Sequence, residues 1–138
     1  MKNVLVFGSF DIIHPGHLFF LRQARRHGGI LTVVLARDAT IERVKGKKPL
    51  YGEKTRKAHL EQLNLVDRVI LGRLEETDFY SVLKDANPDI ICVGYDQKKF
   101  VDRLPEALKS LKLDVPIIRI AAYKEHKYKS SKLKEKMA

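Results

Sequence analysis

Five short apolar runs separated by helical patterns constrain this chain more than any other feature of its sequence. The runs are Val4 to Gly8, Ile30 to Ala36, Arg68 to Leu71, Asp89 to Val93 and Pro116 to Ile120. Each is rich in Val, Ile or Leu without polar alternation, the pattern of strands covered on both faces. Pro15 to Arg26 carries Leu18, Leu21 and Ala24 at helical spacing and ends at Gly28 and Gly29, which are helix stop signals. Lys54 to Asn64, Asp78 to Ala86 and Pro105 to Leu113 are further helical segments. Strands joined through helices imply a parallel sheet with helices on both faces, a doubly wound α/β fold with five strands. Ligands in such folds bind beyond the carboxyl ends of the strands. The chemistry is therefore expected at Ser9-Phe10-Asp11, Arg37-Asp38, Gly94-Tyr95-Asp96-Gln97 and the stretch after Ile120.

At 138 residues the chain fits one domain, 1–138, and 44% hydrophobic content supports a packed core. There is no internal repeat and no Pro/Gly/Ser linker. No apolar run approaches the roughly 20 residues that cross a bilayer. The opening MKNVLVFGSFD lacks the apolar length and cleavage site of a secretory signal. The expectation is a cytoplasmic protein without a membrane partner. The single cysteine, Cys92, lies within the apolar DIICVG and reads as a small buried hydrophobe. The formal charge of +10 suits an anionic partner, and the basic residues concentrate in Arg22–His27, Arg43–Lys57 and Lys124–Lys136. Solvated helix faces explain part of that pattern.

The first run leads into Gly8-Ser9-Phe10-Asp11-Ile12-Ile13-His14-Pro15-Gly16-His17. Two histidines three apart share a face where a loop becomes a helix. Pro15 suits the first helical turn, and Gly16 leaves room for a close approach to the backbone. The free N–H groups and positive dipole at that helix start favour an anion. Two imidazoles there can donate to phosphate oxygens and stabilise charge building up on an α-phosphate and a departing pyrophosphate. Zinc is a rival ligand, but neither a cysteine nor a third histidine completes a shell. His27, His59 and His126 read as incidental.

This stretch resembles the GxFDxxHxGH signature of the cytidylyltransferase-like nucleotidyltransferases, with Ser9 where many members carry Thr. The resemblance spans nearly the whole chain and implies the Rossmann-like HxGH nucleotidyltransferase fold. Ala36-Arg37-Asp38 resembles the segment after the family's second strand. Lys45-Gly46-Lys47-Lys48-Pro49 resembles its basic loop, whose lysine reaches the triphosphate. Arg56 resembles a phosphate-binding arginine that opens the next helix. Gly94-Tyr95-Asp96-Gln97 resembles the segment contacting ribose and base, and Ser130-Ser131 a phosphate-contacting pair. The stretch Tyr123 to Ser131 departs from the Arg-Thr-Glu-Gly-Ile-Ser-Thr of glycerol-3-phosphate cytidylyltransferases. The combination of ARD, GKKP, GYDQ and Tyr-Lys before Ser-Ser is more similar to archaeal-type FAD synthases, which transfer AMP from ATP to FMN.

The resemblance implies catalysis by His14, His17 and Lys47, with Lys45 and Lys48 as rivals for the lysine's role. It implies nucleotide contacts at Ser9, Phe10, Asp11, His14, Gly16, His17, Lys47, Arg56, Gly94, Asp96, Ser130 and Ser131. Acceptor contacts are expected at Arg37, Asp38, Tyr123 and Lys124. Asp11 reads as a helix-entry cap, with a magnesium-side group as the alternative. A magnesium ion bridging the phosphates is expected, held by substrate oxygens and water rather than by a dedicated protein metal site. The resemblance also implies a homodimer. Two rivals are a non-catalytic nucleotide-binding module and a nucleic-acid binder. The latter is suggested by the charge and by Tyr123 and Tyr128 in the basic tail, but no recognised nucleic-acid motif accompanies it. Within the enzyme class, the alternative is a cytidylyltransferase using CTP and glycerol 3-phosphate.

Overall fold

The computed structural model describes residues 1–73, 79–97 and 99–123. Along the chain the elements are β1 (Asn3–Gly8), α1 (Pro15–Arg25), β2 (Ile30–Leu35), α2 (Asp38–Lys45), α3 (Glu53–Glu61), β3 (Arg68–Leu71), α4 (Phe79–Ala86), β4 (Ile90–Val93), α5 (Lys99–Ser110) and β5 (Ile117–Arg119). The strands form one sheet in the order β3-β2-β1-β4-β5, and every pairing is parallel. This is the expected doubly wound α/β architecture. The chain builds outward from β1 through β2 to β3, then crosses to the other side for β4 and β5. The switch point of the sheet therefore lies between the tips of β1 and β4.

Both faces are covered, which accounts for the unbroken apolar strands. On one face Val4, Val6, Val33 and Cys92 pack with Leu21 and Ala24 of α1 and Leu60 of α3. On the other, Leu5, Val34, Ile91 and Val93 pack with Val82 and Leu83 of α4 and Leu104 and Leu108 of α5. Thr32 is the fully buried polar residue of the strands, and its hydroxyl donates to Asn3 Oδ1 at 2.9 Å.

Two elements depart from the sequence reading. The helix α2 was not expected: it is short, charge-rich and buries one apolar side chain, Ile41. Its stop signal is nevertheless present, since Gly46 caps it with φ of 77°. The helix α5 starts at Lys99 rather than at Pro105, and Pro105 lies inside it. A proline that looks like a helix opener in sequence here costs one interior hydrogen bond instead.

Candidate active site

The tip of β1 is held in an unusual backbone. Phe10 adopts φ of 44° and turns its ring into the core, where it is 4% exposed. A Cβ on Gly8 would sit 2.6 Å from that ring, so the glycine is required by close packing. Phe10 is thus a core residue whose ring also lies against that of His17, with centroids 5.1 Å apart.

His14 is the N-cap of α1 in extended conformation, and Pro15 opens the helix. The Nδ1 atom of His14 accepts from the N–H of Gly16 at 3.0 Å and of His17 at 3.4 Å. In return, Nδ1 of His17 accepts from the N–H of His14 at 3.3 Å. The two side chains therefore form a reciprocal capping box built of imidazoles. Their rings stack with centroids 3.8 Å apart and planes 18° from parallel. Because both Nδ1 atoms accept, the proton of each neutral ring belongs on Nε2. The main chain thereby fixes the tautomer of His14 and leaves it an Nε2–H donor, while the His17 ring also meets the Ile12 carbonyl. Gly16 permits the stack, since a Cβ there would meet His14 Cε1 at 2.9 Å.

His17 is half-buried beneath the exposed His14. Burial, reinforced by the neighbouring His14 and Lys45, lowers its pKa below the ordinary value, while the Ile12 carbonyl and Asp96 oppose the shift. His17 is consequently disposed to remain neutral near pH 7.

A second cluster braces this tip. Arg56 is fully buried. Its Nη1 donates to the carbonyls of Ser9 and Ala36, both at 2.8 Å. Its Nε donates to the Tyr51 carbonyl at 2.9 Å, and Nη2 pairs with Asp38 Oδ1 at 2.7 Å. The expected phosphate ligand is instead a brace joining the tips of β1 and β2 to α3, with its donors directed to protein. Asp38 is the acceptor for that brace through Oδ1, while its side chain remains partly exposed. The cap of α1 is His14 and not Asp11: Asp11 accepts from Leu50 N–H at 2.7 Å and Tyr51 N–H at 2.8 Å. Burial works against its charge, but those two backbone bonds, with Arg56 and Lys45, hold its carboxyl below the ordinary range. Asp11 thus anchors the far end of the basic loop beside the histidines.

Of the three lysines in that loop, Lys45 is the one whose charge weighs on both His17 and Asp11. Lys47 and Lys48 stand exposed farther along. Across the switch point, Gly94, Asp96 and Gln97 form the turn after β4. The Gly94 N–H donates to Gln97 Oε1 at 2.7 Å, and Asp96 is close enough for its charge to favour protonation of His17. This is the Gly94-Tyr95-Asp96-Gln97 stretch expected after the fourth strand, with Gln97, not among the named nucleotide contacts, closing the turn.

Beside the tip opens a cavity of about 410 Å³, lined in part by Ser9, Arg37 and Gln97. Its floor is apolar (Phe7, Val34, Ile41, Val44, Val82) and its rim basic, with Arg43, Lys45, Arg73 and Arg103 beside Arg37. Among the described residues no carboxylate side chain lines it. Arg37 pairs with Glu53 at 2.9 Å, and Arg73 pairs with Asp85. Thr40 lines the cavity too, and its buried hydroxyl has no partner among the described residues. Sequence reasoning missed Thr40, Ile41 and Val44 with α2 itself, although the spacing of Ile41 and Val44 ahead of Gly46 carries the helix signal.

Tyr123 packs on Phe19 of α1 with centroids 5.4 Å apart and is not part of the cavity lining. Lys124, His126, Ser130 and Ser131 lie outside the described residues. Cys92 is buried, and burial pushes its thiol up to about 11, as befits a core residue rather than a nucleophile. Among the described residues no three His, Cys, Asp or Glu side chains gather into a metal site. No described helix is long and apolar enough to cross a membrane.

Comparison with known proteins places the chain in a family. The FAD synthase of Aciduliprofundum boonei is 43% identical over 123 residues, covering 89% of this chain and 80% of that protein. The FAD synthase of Thermoplasma volcanium is 39% identical over 137 residues, 99% of this chain and 94% of its own. A solved Thermoplasma volcanium structure, described as a lipopolysaccharide core biosynthesis protein, superposes with a TM-score of 0.81 at 41% identity, covering 89% of this chain and 98% of that one. A pantoate-β-alanine ligase from Francisella tularensis shares the fold alone, with a TM-score of 0.62 at 12% identity over 87% of this chain and 59% of the ligase. The cytidylyltransferase-like family model matches residues 5–136, and the chain belongs to that family.

Proposed function

We propose that this protein is a nucleotidyltransferase of the FAD synthase type, transferring AMP from ATP to FMN and releasing pyrophosphate. The observation that carries the reading is the stacked histidine pair, joined by reciprocal capping at a helix N-terminus. A phosphate oxygen of FMN attacks the α-phosphorus in line. The new P–O bond forms as the bond to the bridging oxygen breaks, and pyrophosphate carries away the negative charge. His14 and His17 donate to phosphate oxygens as that charge develops, with no covalent enzyme intermediate. A magnesium ion brought in with the triphosphate would supply further neutralisation of that charge beside His14 and His17.

The basic loop grips the β- and γ-phosphates, with Lys45 joining Lys47. Gly94 and Asp96 meet the nucleoside, and Ser130 and Ser131 add phosphate contacts. The cavity beside Ser9 suits the flavin: an apolar floor for a planar ring and a basic rim for the phosphate it carries. That supports acceptor contacts at Arg37 and Thr40. In this reading the protein works in the cytoplasm as a homodimer. FAD synthases at 37–44% identity over most of the chain support the choice of acceptor.

The test is a panel of ATP and CTP against FMN, glycerol 3-phosphate and phosphocholine, scored by pyrophosphate release and by FAD formation, with and without a chelator. FAD from ATP and FMN, lost on chelation and restored by magnesium, is the expected result. Turnover only with CTP and glycerol 3-phosphate overturns the flavin assignment.

A further inference from the structure

The turn that follows β4 is clamped from two sides by side chains outside the histidine motif. It closes on itself through the Gln97 N–H and the Gly94 carbonyl at 3.2 Å. Three of its carbonyls converge on one nitrogen, Nη1 of Arg119: Gly94 at 2.8 Å, Tyr95 at 3.2 Å and Gln97 at 3.3 Å. Arg119 ends the edge strand β5 and is in register with Val93, the last residue before the turn. The shortness of β5 and its parallel register deliver the guanidinium to the back of the loop. On the opposite side Gln97 takes the Gly94 N–H on Oε1 and gives Nε2 to the Phe7 carbonyl of β1 at 3.1 Å. The turn is thus referenced both to β5 and to the strand that launches the histidines.

We propose that Arg119 is a positioning residue for the nucleotide: by gathering three carbonyls it fixes the Gly94–Gln97 turn relative to His14 and His17. The proposal rests on the reading that this turn meets the nucleoside. Arg119 itself touches no reacting atom. It is exposed and belongs to neither core cluster. The Gln97 bonds and the turn's own closure remain when it is removed. Its loss therefore loosens the turn while leaving the sheet in place. A guanidinium suits the task because the two N–H groups of Nη1 can be shared among three converging carbonyls. A lysine ammonium at the same place keeps a cation with three donors and serves as a partial substitute.

The experiment compares wild type, Arg119→Ala and Arg119→Lys by direct ATP binding without acceptor, by KM and kcat for both substrates, and by thermal melting. The expected result for Arg119→Ala is an ATP dissociation constant and KM raised by about tenfold or more, with kcat and the acceptor KM within about threefold. Arg119→Lys should recover most of the ATP affinity. Unchanged ATP affinity in Arg119→Ala overturns the proposal. So does an equal rise in both KM values, or a variant that no longer folds, since either marks a structural role. The outcomes separate from those of the functional reading. A wild type that binds ATP but makes no FAD sinks the acceptor assignment, while the ATP affinities of the variants still judge the clamp.

Discussion

A neutral imidazole that spends Nδ1 on a main-chain N–H can offer a ligand only Nε2, so a single substitution can separate the two jobs of His14. His14→Asn keeps an oxygen that caps α1, whereas His14→Ala removes cap and donor together. Turnover is expected to fall by about 10²–10³ in both, as for the loss of a transition-state donor. Thermal melting should show His14→Ala less stable than His14→Asn by about 1 kcal/mol. Near-normal turnover in His14→Asn would remove the histidine from the mechanism. His17 carries a pH signature. Its folded pKa lies below the ordinary 6.5, so the unfolded chain takes up a proton that the folded chain resists. Stability from this residue is complete above the unfolded value and is lost as pH falls towards the folded one. Between about pH 7.5 and pH 5.5 the melting temperature of wild type should therefore drop more than that of His17→Gln; equal slopes contradict the assignment. The identity of these two residues was legible in the sequence because Pro15 and Gly16 mark the helix start around them. Their tautomers were not, because those depend on where three backbone N–H groups point. Arg56 was misread for a related reason: an arginine that binds phosphate and one that binds carbonyls look alike until burial is known.

At the level of elements, Arg56 ties together the tips of two strands and the start of α3 through four hydrogen bonds. Arg56→Met fills much of the space but leaves three carbonyls without donors. The expected cost is about 3 kcal/mol in denaturant unfolding, with the slope of the transition unchanged. A cost below about 0.5 kcal/mol, the size of an ordinary surface substitution, would show that the brace is dispensable. The five strands were readable because burial on both faces strips them of polar residues, as in Ile90–Val93. α2 escaped because its helix signal rests on Ile41 and Val44 alone among charged neighbours, and Arg37 supplies no side-chain cap. The start of α5 was lost because Pro105 outweighed the pattern ahead of it.

Across the whole molecule, the charge of +10 becomes specific only where the fold gathers it. The cavity draws its basic rim from residues between 37 and 103, a set that no local motif announces, which is why the acceptor site was the least legible part. Long-range attraction of this kind is screened by salt. The KM for ATP should accordingly rise with ionic strength more steeply than that for FMN, which carries fewer charges. Equal dependence would place the field elsewhere. The strand order has a further consequence for synthesis. β1 lies at the centre of the sheet, with β2 on one edge and β4 on the other. When the ribosome has released the first half, the second edge of that strand still has no neighbour, because its partners, Ile90 and Ile91, are not yet made. An apolar ribbon with an open edge invites association between nascent chains. Arrival of β4 closes that edge and, in the same event, carries the Gly94–Gln97 turn to the histidines, leaving β5 to cover the last apolar ribbon and to bring Arg119 behind the turn.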